Sequence, residues 1–284
     1  MSNCLKLISL APTQTEIIAA LGMLPRLSGV TEDCDYPEMV TSLPKFGSWY
    51  SPDMAAIVKA GPDLVFTFGS HQEEIAQTLK ENGIGVYHSE PSTIAASLES
   101  MGEIAGLLGR ETEWAQLSGL LRKRLERIGS TLISLNQHES LAKEGEHSES
   151  CTTPFRHPSV FRIMNWDPLI TVGSGAFQHD VIEFSGGRNA AGNGSAPYYV
   201  CNPEEIAAAD PEIIFFCEPH IRNLLAGDPG WKNVSAVRHG RVYVYDCGLT
   251  CRSGPRIVDM AEKLNEAIMN LLYNSGVVGS KVCD

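Results

Sequence analysis

Apolar residues along the chain fall into short runs separated by polar turns rich in proline and glycine, with one long exception. In the first half, Leu5 to Leu10, Leu27 to Val30, Leu64 to Phe68 and Gly83 to Tyr87 read as strands. Ile17 to Leu21, Pro52 to Ala60, Ile75 to Lys80 and Thr93 to Leu108 read as the helices between them. The second half repeats the alternation. Val160 to Met164, Ile213 to Cys217 and Arg241 to Tyr245 are predicted strands; Asp180 to Phe184, Pro203 to Ala209 and Pro255 to Leu272 are predicted helices. The exception is Glu111 to Leu135. There Leu117, Leu120, Leu121, Leu125, Ile128, Leu132 and Ile133 recur at the three- and four-residue steps of one helical face. Arg122, Lys123, Arg124 and Arg127 fall mostly off that face, and Thr112 is a candidate N-cap. At about 1.5 Å per residue this helix would span roughly 37 Å. The pattern predicts an α/β protein of two lobes joined by a spine helix, with bounds 1–110, 111–135 and 159–284. Residues 136–158 are read as a polar surface insertion.

Punctuation adds detail. Pro12 breaks the first strand, Thr13 is a candidate cap with Glu16 three residues later in a capping-box pattern, and Gly22 closes the helix. One unit recurs: SPDMAAIVKAGPDLVFTF and NPEEIAAADPEIIFFC are both short helix, proline turn and strand, which predicts pseudo-symmetric lobes.

The 284-residue chain carries a formal charge of −12, from 34 acidic and 22 basic residues, which argues against nucleic acid as a main partner. No run approaches the roughly 20 apolar residues of a membrane span. The N-terminus lacks the basic and apolar regions of a signal peptide, so a cytoplasmic location is one expectation and removal of an export segment the other. Eight cysteines (Cys4, Cys34, Cys151, Cys201, Cys217, Cys247, Cys251 and Cys283) form no CxxC pair, and reduced thiols are expected.

The motifs of hydrolases, P-loop proteins, zinc proteases and dinucleotide-binding folds are absent, so catalysis is not expected. Gly173-Ser174-Gly175 is glycine-rich without the rest of a nucleotide fingerprint. His71, His88, His179 and His220 stand near strand ends but without tight ligand spacing. Cys247 and Cys251, four apart, form with Cys217 a weak candidate thiolate cluster. The loop PKFGSWYS carries Ser48 and the adjacent aromatics Trp49 and Tyr50, a candidate apolar platform for a flat ligand.

Six segments in order resemble the cobalamin-binding subfamily of ABC-transporter solute-binding proteins. Leu7 to Ile17 with Leu21-Gly22 resembles "SLAPSATEI…LG", Glu32 to Pro37 "ECDYP", and Gly61 to Val65 "KPDLV". Phe184 to Asn189 resembles "LAGGxN", Ala209 to Ile214 "ADPDVI", and Ser253 to Ile257 "xxGPRxV". The resemblance implies a helical-backbone periplasmic-binding-protein fold, with a corrinoid held between two lobes for an ABC permease, and a monomer with no catalytic cofactor. It also implies ligand-binding roles for Ser48, Trp49, Tyr50 and Cys34 in the first lobe and for Trp166 and Phe177 in the second. Glu73, and as its counterpart Glu218, would dock on the permease. The same scaffold implies haem, an iron siderophore or a metal as alternative ligands, and a cytosolic corrinoid-handling protein using its thiols is a further one.

Overall fold

The computed structural model describes residues 5–144, 156–194 and 196–274, with the side chains of 135–144 left out. Cys4, Cys151 and Cys283, and residues 145–155 of the predicted insertion, lie outside the described residues. The chain divides into two compact units, Met1–Leu120 with Arg252–Arg256, and Leu121–Cys251 with Ile257–Asp284.

The first unit alternates strand and helix: β1 (Leu7–Ser9), α1 (Pro12–Ala20), β2 (Leu27–Val30), α2 (Met54–Ala60), β3 (Leu64–Phe68), α3 (Glu73–Glu81), β4 (Gly85–Ser89) and α4 (Ile94–Leu108). Its four strands are all parallel, in the order β2-β1-β3-β4. A parallel sheet covered on both faces needs apolar residues on both sides, and Leu7, Ile8, Val65 and Phe66 are fully buried. Asp53 caps α2 by accepting the Ala56 N–H, Thr93 caps α4 through the Ala96 N–H, and left-handed Gly61 and Gly109 end the same two helices.

The capping-box expectation for Glu16 is not what forms. Thr13 lies inside α1, whose N-cap is Ala11 with no side-chain bond. The Glu16 carboxylate is instead buried and taken by two guanidiniums described below.

The second unit holds β5 (Ser159–Arg162), β6 (Ile170–Val172), α6 (Phe177–Phe184), β7 (Arg188–Asn189), β8 (Tyr198–Val200), α7 (Pro203–Ala208), β9 (Ile213–Phe216), α8 (Ile221–Gly227), α9 (Ser235–Arg238), β10 (Val242–Val244), α10 (Cys247–Thr250) and α11 (Ile257–Asn274). The α5 helix (Glu111–Glu144) enters this unit from the first. The main sheet is again parallel, in the order β10-β9-β5-β7. Matching β5, β7, β9 and β10 to β1, β2, β3 and β4 gives the same order in both units. The helix–proline–strand echo occupies equivalent places, α2 before β3 and α7 before β9. The units are therefore pseudo-symmetric in topology.

The second unit adds an antiparallel ribbon of β6 and β8, which pairs Thr171 with Tyr199. This ribbon accounts for the glycine-rich Gly173 to Gly175. A Cβ on Gly173 would lie 2.2 Å from the Ala196 carbonyl oxygen and 2.4 Å from that of Gly194, so the residue serves a close backbone approach rather than a phosphate.

The α5 helix runs beyond the predicted 111–135, to Glu144, so the first part of the predicted insertion is helical. It begins at Glu111, which places Thr112 inside it rather than at its cap. Leu121, Leu125 and Ile128 form its buried stripe, whereas Leu120 and Ile133 are 63% and 57% exposed. The predicted face was too wide, because only one row of three- and four-residue steps meets the core.

Arg124, predicted on the solvated side, is bound by two carboxylates of α11, Asp259 and Glu262, with Nε donating to Glu262 Oε1 at 2.8 Å. The Arg124 bond, ahead of an opposing effect of burial, holds Glu262 below its ordinary value. A carboxylate depressed in the folded state contributes stability above its unfolded value, near pH 4.3, and loses it as pH falls through the folded value. The pair is part-exposed, so the contribution is under about 1 kcal/mol. Urea midpoints of the wild type and Glu262→Gln should therefore differ at pH 6–7 and converge below about pH 4.

Candidate functional site

Ligands of open parallel sheets gather at the carboxyl ends of the strands, and each unit places its unusual residues there. In the first unit the loop following β2 returns through Phe46, buried under the sheet edge, and turns at Gly47. Gly47 has φ +78°, and a Cβ there would lie 2.5 Å from the Ser51 carbonyl oxygen, so the turn requires glycine. That turn presents Trp49 and Tyr50. Their ring centroids are 4.7 Å apart, and both rings meet His71, at 5.6 and 5.4 Å, edge-on. Trp49 is half-buried and Tyr50 is 66% exposed, so the cluster is anchored on one ring and open on the other.

Gln72 fixes this loop. It is fully buried; its Nε2 donates to the carbonyls of Leu10 and Trp49, both at 2.8 Å, and its Oε1 accepts the Phe68 N–H. Asp33 accepts the Trp49 backbone N–H at 2.6 Å. The ends of β1 and β3 therefore hold the aromatic platform through one amide side chain. In sequence Gln72 reads only as one more polar residue in Ser-His-Gln-Glu-Glu.

The other candidates of this unit divide. Ser48 shapes the turn, its Oγ accepting the Ser51 N–H. Cys34 does not offer a thiol: it is 1% exposed, accepts a hydrogen bond from Thr15 Oγ1 at 3.1 Å and lies 3.2 Å from Thr31 Oγ1. Burial pushes that thiol up, against the pull of those hydroxyls, so it stays neutral and structural. Glu73 is exposed at the first position of α3.

Beside the platform lies a charge cluster built from segments far apart in sequence. Arg256 donates through Nε and Nη2 to both oxygens of Glu16, at 2.8 and 2.6 Å. Arg252 Nη1 reaches Glu16 at 2.8 Å and Asp35 at 2.6 Å. Arg256 also sits 4.1 Å over the Tyr36 ring. Burial acts to raise the Asp35 carboxyl, but the Arg252 bond and charge outweigh it and hold it low. Three of the six recognised segments, those holding Glu16, Asp35 and Arg256, thus meet in one network.

In the second unit Trp166 is half-buried and packs its ring 5.9 Å from Trp231 of the core. Phe177 is 4% exposed at the start of α6, which gives its ring to the interior and corrects its reading as a ligand contact. Glu218 is exposed just after β9, 3.5 Å from His220. In topology β9 corresponds to β3, so Glu73 and Glu218 follow equivalent strands. A cavity of about 630 Å³ opens elsewhere in this unit, among Arg156, Glu212, His239 and Arg241. Arg241 precedes β10, so this cavity lies at the opposite ends of the strands from the residues above.

The cysteines after β9 and β10 come together. The Sγ atoms of Cys217, Cys247 and Cys251 lie within 4.8 Å of one another. Hydrogen bonds from the Cys247 and Cys251 thiols, with a further contribution from Arg162, hold Cys217 well below an ordinary thiol, while Cys247 goes up for the same shared bonds. His71, His88, His179 and His220 form no metal-ligating group among the described residues.

A family model described as periplasmic binding protein matches residues 7–247. An ABC transporter substrate-binding lipoprotein, YvrC, of Bacillus subtilis (strain 168) is 28% identical, over 93% of this chain and 79% of its own length. The vitamin B12-binding protein of Vibrio campbellii (strain ATCC BAA-1116) is 26% identical, over 80% of this chain and 74% of its own length. Among solved structures, the apo periplasmic heme-binding protein RhuT from Roseiflexus sp. RS-1 superposes with a TM-score of 0.75 at 22% identity, covering 94% of this chain and 98% of its own.

Proposed function

The chain belongs to the periplasmic binding protein family, and we propose that this member captures a corrinoid of the vitamin B12 type and presents it to an ABC permease. Members of the family are substrate-binding components of transporters that deliver small molecules to such permeases, and no catalytic cofactor belongs to that role. No helix among the described residues is long and apolar enough to cross a membrane.

The observation that carries the reading is the Trp49–Tyr50–His71 cluster at the carboxyl end of the first sheet. A corrin is a broad, amphipathic ring rimmed with amides. An exposed aromatic face removes its apolar surface from water, while hydroxyls and backbone groups bond its rim. Gln72 and Asp33 hold the platform before any ligand arrives, so little ordering cost remains at binding. Glu73 and Glu218, exposed after equivalent strands, are the acidic groups we assign to permease docking; at such rims charge steers encounter more than it adds affinity.

Haem is the second reading, and one residue favours it. His71 is exposed within the same cluster and is the kind of side chain that ligates haem iron. Equilibrium dialysis of the purified chain, treated with chelator, against cyanocobalamin and separately against haemin tests the assignment. Corrinoid binding at one per chain supports it. Retention of haemin alone, with a spectrum lost in His71→Ala, replaces it with haem.

A further inference from the structure

We propose that Cys217, Cys247 and Cys251 form a three-sulfur site for a thiophilic divalent cation of the zinc and cadmium type, with Arg162 as its built-in counter-charge. The inference goes beyond the corrinoid reading and does not depend on it.

The fold explains why the three sulfurs converge. Cys217 follows β9 and Cys247 opens α10 just after β10, and these parallel strands are neighbours that pair Phe216 with Val244. The single turn of α10, with Cys251 N–H donating to the Cys247 carbonyl at 2.9 Å, brings Cys247 and Cys251 to the same side. Cys217 Sγ and Cys251 Sγ are 4.0 Å apart, and the trio lies within 4.8 Å. Three thiolates around an ion at about 2.3 Å in tetrahedral geometry stand about 3.8 Å from one another. Only a small side-chain adjustment, chiefly at exposed Cys247, separates the observed spacing from that one.

Arg162 supplies the second, independent observation. It stands on β5 at 0% exposure, in a run otherwise made for a core. Among the described residues no carboxylate forms an ion pair with it, and its Nε is buried without a hydrogen-bond partner. A buried cation without a counter-charge is expensive. Its Nη2 lies 3.4 Å from Cys251 Sγ, 3.6 Å from Cys217 Sγ and 3.2 Å from Thr250 Oγ1. A divalent ion bound by three thiolates carries one net negative charge, which a single guanidinium cancels. The three ligands leave a fourth position beside Cys247 for water or another small ligand.

A disulfide is the competing fate of such thiols. Bonded sulfurs stand about 2.05 Å apart, so a bridge would need Cys217 and Cys251 to close by nearly 2 Å, and it would remove the anionic group facing Arg162.

The test uses the full chain, reduced and stripped of metal, with no corrinoid present. It is titrated with cadmium while the sulfur-to-cadmium charge-transfer absorption is followed, and with zinc against a chromophoric chelator. Alkylation with and without ion, read by mass spectrometry, reports which thiols are shielded. The expected result is one ion per chain, with Cys217, Cys247 and Cys251 protected and Cys34 and Cys201 unaffected. Cys247→Ser, at an exposed position that leaves the fold intact, should weaken binding at least about 100-fold. Arg162→Met should weaken it roughly 10-fold. Absence of a charge-transfer band, equal alkylation of the trio with and without ion, or a Cys217–Cys251 disulfide that persists in reductant would each overturn the proposal. Corrinoid dialysis run in chelator is blind to this site, so either reading can fail without the other.

Discussion

Replacing both Trp49 and Tyr50 with alanine is expected to lower corrinoid affinity by roughly 100- to 1,000-fold. Each ring that gives a face to the ligand contributes about 1.5–2 kcal/mol of apolar burial and stacking, and each 1.4 kcal/mol is about tenfold in affinity. The two positions separate binding from folding. Tyr50 is 66% exposed, so Tyr50→Ala alone should leave the unfolding free energy within about 0.5 kcal/mol of wild type while still weakening ligand binding. Trp49 is half-buried, and its loss should cost some stability as well. Calorimetric titration with cyanocobalamin, paired with urea unfolding of the same samples, reads both. Unchanged affinity in the double variant would remove the platform from the site.

The largest expected effect on stability belongs to Glu16. Its carboxylate is 2% exposed and holds Arg252 and Arg256 together, while Asp35 and Tyr36 take up the outer sides of the two guanidiniums. Glu16→Gln keeps the shape and removes the charge, leaving two guanidiniums adjacent without their shared anion. Breaking a buried pair from one side costs roughly 3–5 kcal/mol, which corresponds to a fall in Tm on the order of 10 °C. In the Glu16→Gln background, a further Arg256→Gln change should cost much less than it does in the wild type, because the two act as one network. Additive losses would show that the groups act separately.

The parts of this account readable in sequence are those set by local pattern. The strands Leu27–Val30 and Leu64–Phe68 form with the predicted bounds, because each ends where a strongly polar loop begins. The helix–proline–strand echo foretold the repeated sheet order, since the same unit leads into the third strand of each sheet.

What sequence hid depends on partners far along the chain. Glu16 three residues after Thr13 has the local form of a capping box, yet its partner Arg252 lies 236 residues away, and burial of an ion network outweighs a surface cap. Leu120 and Ile133 satisfy the helical spacing of α5 but lie on its flanks, because periodicity fixes a direction and not the width of the contact. The residues Trp49 and Tyr50 were legible as an aromatic pair. Their anchoring by buried Gln72 was not, because nothing in a polar stretch marks a side chain that bonds two distant carbonyls. Cys34 was drawn into the site by its place in a recognised segment and Phe177 by its place in a second-lobe loop matched to the family, and the interior took both. The thiol trio was half visible, through the four-residue step from Cys247 to Cys251. Cys217 was a candidate third member by its place at a strand end; the convergence of the three and the buried Arg162 came only with the β5-β9-β10 order.

The most direct test of the central claim is a competition in which the purified chain is mixed with equimolar cyanocobalamin and haemin, then desalted and its visible spectrum recorded. The account predicts one corrinoid carried per chain, with little haem, and loss of that corrinoid when Trp49 and Tyr50 are both replaced. A chain that emerges carrying haem and no corrinoid, whether or not those rings are present, would contradict it.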